Sequence, residues 1–188
     1  MESNMPRTKD QNRLARERIV AALTELMSEK DYTGITITEI TQRANVSRMT
    51  YYRNYSSKED ILRKFMSDVG ESIHAKIVEQ DLYHDTYQYY YTLFDMLGQY
   101  AELVNASLAA GLDGLILDCV ARNMDQTFLE ASAQPNAEKY LLRYRAGAFF
   151  HVFIEWTRSG MQESCEQMAR LCADAAMGKL YFHFSSDQ

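Results

Sequence analysis

Residues 36–62 read TITEITQRANVSRMTYYRNYSSKEDIL, and the fold is decided in this stretch. Thr36 is followed three residues later by Glu39, the spacing of a capping box in which hydroxyl and carboxylate each satisfy an orphaned backbone donor. Ile37, Ile40 and Ala44 then recur on one helical face. Asn45 is one of the few non-glycine residues that tolerate a left-handed backbone, so the helix is predicted to stop there, with Val46 as the apolar plug after the turn. Ser47 can cap a third helix, Arg48 to about Tyr55, and Ser57 can cap a fourth, Lys58 to about Glu79. Two short helices joined by a tight turn, with a helix on either side, make a helix-turn-helix.

The residues of this stretch divide by chemistry. Ile37, Ile40, Ala44, Val46, Tyr52 and Tyr55 form a small apolar scaffold. Arg48, Met49, Thr50, Tyr51, Arg53 and Asn54 fall within two turns of the third helix and give it a largely polar, cationic surface. Such a helix can enter a major groove, where arginine pairs with guanine edges and hydroxyls and amides reach bases or phosphates. Lys58, in the first turn of the fourth helix, sits where a cation and backbone donors converge on a phosphate. The bland alternative is that the same residues are the solvated face of a small helical bundle.

The stretch also resembles the TetR-like repressors. Their N-terminal signature has a threonine-initiated helix, then A-G-V-S, a short helix ending Y-x-x-F, and S-K-E-x-L. This chain has Thr36, Ala44-Asn45-Val46-Ser47, Tyr52-Arg53-Asn54-Tyr55 and Ser57-Lys58-Glu59-Asp60-Ile61-Leu62, a match over roughly residues 10–70. Three positions depart from the pattern: Asn45 for a turn glycine, Met49 for a glycine early in the recognition helix, and Tyr55 for phenylalanine. The resemblance implies that Ser47, Arg48 and Thr50 face base edges or nearby phosphates. Tyr52, Asn54 and Lys58 would hold the DNA backbone, with Thr36 and Thr38 at the start of the second helix. For Tyr52, a core role with only the hydroxyl outside is the alternative.

Outward from this stretch the chain stays helical. Thr8 and Gln11 have capping-box spacing for a first helix from about Lys9 to Glu29, with Ala15, Ile19, Ala22, Leu23 and Leu26 as its apolar face, and Gly34 is expected to free the backbone after it. Further helices are predicted near 84–103, 105–111, 113–132, 137–160 and 163–183, with the clearest break at Ala133-Gln134-Pro135-Asn136. Asn136 would cap the helix that follows that break, Gly160 would close it, and Ser164 or a neighbour would start the last. Two prolines and eight glycines in 188 residues give too little turn punctuation for a β-rich protein.

The net charge of −6 argues against nucleic acid until its distribution is considered. Residues 1–64 hold 12 Lys and Arg against 9 Asp and Glu, a balance of +3, and the remainder carries −9. A basic head on an acidic body fits a head that meets phosphate. Met1 to Lys9 is polar and no apolar run follows it, which predicts no signal peptide, no membrane and a cytoplasmic location. Three cysteines without paired spacing are expected as buried thiols rather than a disulfide scaffold or redox switch.

The body lacks a catalytic grammar. His74, His84, His151 and His183 are scattered, with no metal-ligand spacing, phosphate loop or serine elbow, so no enzyme, cofactor or metal is expected. Tyr87, Tyr90, Tyr91, Phe94, Met96, Met124, Phe128, Tyr144, Phe149 and Trp156 form aromatic and apolar stripes, which serve either as packed core or as the lining of a small-molecule pocket. Met168, Leu171, Cys172, Ala175 and Ala176 make an apolar stripe on the last helix. Phe153 lies on the helix before it, which is apolar on more than one side, so both read as an association surface. In TetR-like proteins such a pair builds an intersubunit four-helix bundle, and the resemblance implies the same here.

The expected architecture is all-α: a helix-turn-helix DNA-binding domain at 8–70 and a helical dimerisation and effector-binding domain at 71–188. The expected function is a homodimeric, sequence-specific regulator of a palindromic operator in double-stranded DNA, a repressor released by a small apolar or aromatic ligand. The alternative is a TetR-like adaptor or co-activator that docks a protein through its aromatic body and has no small-molecule inducer.

Overall fold

The computed structural model describes residues 5–129 and 135–179, with side chains for 10–122 and 140–179. Among the described residues the fold is all-α, without a strand: α1 Met5–Glu29, α2 Ile37–Arg43, α3 Arg48–Asn54, α4 Lys58–Glu79, α5 Thr86–Gly98, α6 Ala101–Ala109, α7 Asp113–Leu129, α8 Pro135–Arg158 and α9 Cys165–Ala176. Single 3-10 turns at Tyr32–Gly34 and Leu82–His84 lead into α2 and α5.

The chain divides into two compact units, Met1–Asp68 with Glu102–Cys119, and Val69–Ala101 with Val120–Gln188. This differs from the contiguous segments 8–70 and 71–188. The reason is apolar: Leu103 belongs to the same buried cluster as Ile19, Leu23, Ile40, Tyr51 and Ile61, and Ala110, Leu112 and Leu115 pack against it. Burial there outweighs sequence order.

In the first unit α1 buries the face its spacing predicts, Ala15, Ile19, Ala22, Leu23 and Leu26. It begins at Met5, so Thr8 lies within the helix rather than at its cap. Gly34 is not left-handed; it closes a 3-10 turn in which Gly34 N–H donates to the Asp31 carbonyl at 3.0 Å. The capping box of α2 is complete, with Glu39 N–H donating to Thr36 Oγ1 at 3.3 Å and Thr36 N–H to Glu39 Oε2 at 2.9 Å. Asn45 takes the left-handed backbone at φ 50°, the one non-glycine strain the tight turn needs. Val46 N–H then reaches back to the Thr41 carbonyl at 3.0 Å. Ser47 caps α3 through Thr50 N–H at 3.0 Å, and Ser57 accepts from Asp60 N–H at 3.2 Å at the head of α4.

In the second unit α5 and α9 pack closely, and the buried rings of α5 and α8 interlock. Phe94 meets Trp156 edge-on at 5.2 Å and Phe149 at 5.3 Å, while Phe149 stacks on Phe153 at 5.9 Å. Trp156 Nε1 donates to the Glu163 carbonyl at 2.9 Å, so its polar end is satisfied. A methyl group at Gly98 would stand 3.2 Å from Trp156 Cη2, and the bare backbone there lets the indole lie against α5.

Three predicted boundaries move. The helix expected over 84–103 breaks at Gly98, and α6 starts anew at Ala101. Leu97, Ala101 and Val104 keep helical spacing through that bend, so periodicity alone does not register it. The last helix ends at Ala176, not 183, with Gly178 left-handed at φ +69°, the usual glycine stop; 180–183 lie outside the described residues. Of the predicted break, Ala133 and Gln134 lie outside them too, and Pro135 opens α8 where its missing N–H costs nothing. Gly160, at φ +82°, follows α8 as expected, and Ser164 with Gln167 forms a second complete capping box.

Candidate nucleic-acid interface

Seven residues make α3, and its two faces differ sharply. Tyr51 is 0% exposed and Tyr55 is buried one turn on, their rings 5.9 Å apart. Arg48, Met49, Tyr52 and Arg53 are exposed on the opposite side, Met49 at 74% and Tyr52 at 57%. This corrects the reading of the two adjacent tyrosines: Tyr51, expected on the DNA-facing surface, is core, and Tyr52, placed in the scaffold by its spacing and on the DNA side by the resemblance, is outside. The Tyr51 hydroxyl is buried without a hydrogen-bond partner, and burial pushes its pKa up to about 12. Tyr52 stands edge-on to Tyr51 at 5.4 Å.

The start of the interface is tied to α2. Arg48 Nη2 donates to Thr38 Oγ1, and Ser47 Oγ lies 2.9 Å from Thr50 Oγ1. The Thr36 hydroxyl is held in the capping box, donating to Glu39 Oε2 at 2.8 Å. Lys30, bonded to Glu39 at 2.5 Å, and the Thr36 donors hold the Glu39 carboxyl down to about 2. Arg48 is thus tied to Thr38 and Ser47 to Thr50, while Thr36 is engaged within its own capping box.

Asn54 and Lys58 are engaged inward. Asn54 Nδ2 donates to Asn12 Oδ1 and to the Thr50 carbonyl, both at 2.9 Å, so it pins α3 to α1. Lys58 Nζ donates to the Tyr32 carbonyl at 2.6 Å and the Thr33 carbonyl at 3.4 Å, and lies 4.3 Å from the Tyr32 ring centroid. Sequence reasoning missed Asn12 and Tyr32, because a partner on another element carries no local spacing. Other cations of the head are spoken for as well. Arg43 bridges Glu25 and Glu29, and Arg16 pairs with Asp68. Arg53 has no ion-pair partner among the described residues.

The sequence-predicted pocket residues do not gather at one place. Phe94, Phe149 and Trp156 pack on one another. Tyr87 and Tyr91 stack at 6.4 Å half-exposed, with the Arg170 guanidinium 4.4 Å over Tyr87. Tyr144 is 74% exposed, which removes it from any buried lining; the Phe128 side chain lies outside the described residues. Of the predicted association stripe, Phe153, Met168 and Cys172 are buried within the second unit, Phe153 against Phe149 and Phe94. They cannot form a free surface, whereas Leu171, Ala175 and Ala176 are exposed. Among the described side chains of α8, Tyr140, Leu141 and Tyr144 are large, apolar and exposed, and Ala148 continues that face one turn on. Cys119 and Cys172 are buried and Cys165 is half-buried, none of them in a disulfide, and burial pushes the Cys172 thiol up to about 11. Among the described residues no cluster of His, Cys, Asp and Glu could hold a metal ion, and no helix is long and apolar enough to cross a membrane.

Comparison with known proteins covers both units. Residues 19–65 match the family described as bacterial regulatory proteins, tetR family, and residues 84–178 match a transcriptional regulator C-terminal region. The chain is 43% identical over 49 residues to the uncharacterized HTH-type transcriptional regulator YxbF of Bacillus subtilis, a stretch that is 26% of this chain and 13% of YxbF. It is 36% identical over 72 residues to the HTH-type regulator YvkB of the same organism, 37% of this chain and 38% of YvkB. In both cases it spans well under half of the relative's length. Among solved structures, a TetR-family transcriptional regulator of Syntrophomonas wolfei superposes with a TM-score of 0.61 at 18% identity, over 94% of this chain and all of that one.

Proposed function

The chain belongs to the TetR family, bacterial transcription regulators rather than enzymes, and from that premise we propose that it is a homodimer reading a palindromic DNA operator with α3. One observation carries the reading: the outward face of α3 presents Arg48, Met49, Tyr52 and Arg53 together while its inward face is locked in the core through Tyr51 and Tyr55. Arginine can pair with guanine edges and phosphates, and a tyrosine hydroxyl can hold the DNA backbone. Ser47 and Thr50 flank that face. Arg48 and Arg53 supply its charge, since Arg43, Arg16 and Lys58 are engaged elsewhere in the protein.

The homodimer is supported by the exposed stripe of α8, Tyr140, Leu141, Tyr144 and Ala148. A contiguous apolar patch of that kind calls for a partner surface, and a twofold pair would set half-sites about one DNA turn, roughly 34–36 Å, apart. We assign the protein the role of a repressor released by a small apolar or aromatic ligand. Such a ligand has to bind the DNA-incompetent state more tightly than the competent one.

Selection of bound duplexes from random DNA tests the reading. A palindrome is expected, bound with an affinity that falls steeply with salt. The Arg48→Ala, Arg53→Ala double variant should lose most of that affinity with unchanged helicity. A monomer indifferent to every duplex would overturn the proposal, and so would full affinity in the double variant.

A further inference from the structure

We propose that Met49 reads the C5-methyl group of a thymine and so fixes one T·A pair in each half-site; this rests on the DNA-reading role given to α3 above. Met49 is the second residue of α3 and is 74% exposed. It has no part in the buried cluster of the first unit, which α3 enters through Tyr51 and Tyr55. Its neighbours on the outward face are Arg48, Tyr52 and Arg53. A thioether between two guanidinium groups is poorly placed to bind an apolar protein patch, which the flanking charges would have to be desolvated to reach. A polyanion is drawn in by those same charges.

The first residues of a recognition helix are those that meet base edges. Along the major groove the base edges offer nitrogen and oxygen donors and acceptors, and among the unmodified bases thymine alone adds a methyl group. A methionine side chain has no strong donor or acceptor. Pressed on a polar edge it would strip water and return nothing; pressed on a thymine methyl it removes apolar surface from water. Its unbranched, flexible chain can follow the methyl to where the groove places it. Arg48 is tied to Thr38 and Tyr52 stands edge-on to Tyr51, which leaves Met49 the adaptable apolar contact of the face.

The test uses the full chain and the duplex it selects from random DNA. Each thymine is replaced singly by deoxyuridine, which deletes the methyl and leaves the pairing intact, and affinities are measured for the native chain, Met49→Ala and Met49→Leu. At one thymine per half-site the native chain should lose about fourfold, the roughly 0.8 kcal/mol of one buried methyl taken at 1.4 kcal/mol per tenfold. Met49→Ala should bind the thymine and uracil duplexes equally, and Met49→Leu should restore the discrimination. Circular dichroism on both variants checks that α3 is intact. A flat uracil scan overturns the inference while leaving DNA binding standing, as does a scan that keeps its profile in Met49→Ala. Failure to select any duplex overturns the DNA-reading role itself, and this inference with it.

Discussion

Replacing Lys58 with alanine separates two roles that one residue could hold. Its ammonium donates to the Tyr32 carbonyl at 2.6 Å and lies 4.3 Å from the Tyr32 ring centroid. A hydrogen bond involving a charged group contributes about 1.5–3 kcal/mol, and a partly exposed cation over a ring adds roughly 0.5–1 kcal/mol. The Thr33 contact, at 3.4 Å, adds little, and partial exposure trims the rest. Lys58→Ala should therefore destabilise the first unit by about 2 kcal/mol, which is roughly a 30-fold change in an opening equilibrium at 1.4 kcal/mol per tenfold. Trp156, the one tryptophan, belongs to the second unit, so its fluorescence is a poor reporter of the first. Hydrogen exchange of the α2 and α3 amides is the suitable assay, and those that exchange through opening of the unit should speed up about 30-fold. The salt dependence of DNA binding is the companion measurement. With two of its three N–H donors on backbone carbonyls, Lys58 should leave the slope of log K against log salt nearly unchanged. Exchange rates that stay put, with a slope shallower by about 0.9 per subunit, would refute this reasoning and make Lys58 a phosphate contact.

Tyr51→Phe should raise thermal stability by about 1 kcal/mol, because it removes a buried hydroxyl that has no partner; a comparable loss in a thermal melt would mean the hydroxyl is bonded. Glu39 gives a pH dependence of definite sign. Its folded pKa of about 2 lies below the ordinary value of about 4.3. The stabilisation is thus full above the ordinary value and is lost as pH falls through about 2. Glu39→Gln should flatten that part of an acid titration followed by circular dichroism, and superimposable curves would contradict the capping-box account. Tyr144→Asp places a charge on the exposed stripe of α8 and should weaken self-association at least tenfold by sedimentation, with DNA affinity falling alongside. An unchanged association constant would remove that stripe from the proposed interface.

Much of the fold was written in short-range chemistry. Thr36 with Glu39, Asn45, Ser47 and Ser57 act on backbone groups a few residues away, and each does in the structure what its spacing predicts. At the candidate interface the reading slipped where the information was not local. Seven residues of α3 make barely two turns, so adjacent tyrosines cannot be phased by periodicity, and only the core that Tyr51 enters decides between them. Asn54 and Lys58 look free in sequence because Asn12 and Tyr32 lie 42 and 26 residues away. In the second unit the aromatic spacing was plain, but a stripe of rings reads the same whether it closes on itself, as Phe94, Phe149 and Trp156 do, or faces out, as Tyr144 does. Met168 and Cys172 were legible as apolar, and what they pack on was not.

The turn between α2 and α3 has one further consequence. Its amides are already occupied, Asn45 N–H on the Gln42 carbonyl at 3.1 Å and Val46 N–H on that of Thr41 at 3.0 Å, and Ser47 closes the helix that follows. Whatever docks on this face meets a finished turn, with none of its own backbone left to fold on contact. The heat-capacity change of association should then report buried surface alone, without the excess that accompanies coupled folding. The encounter rate should be governed by diffusion, orientation and charge rather than by a refolding step.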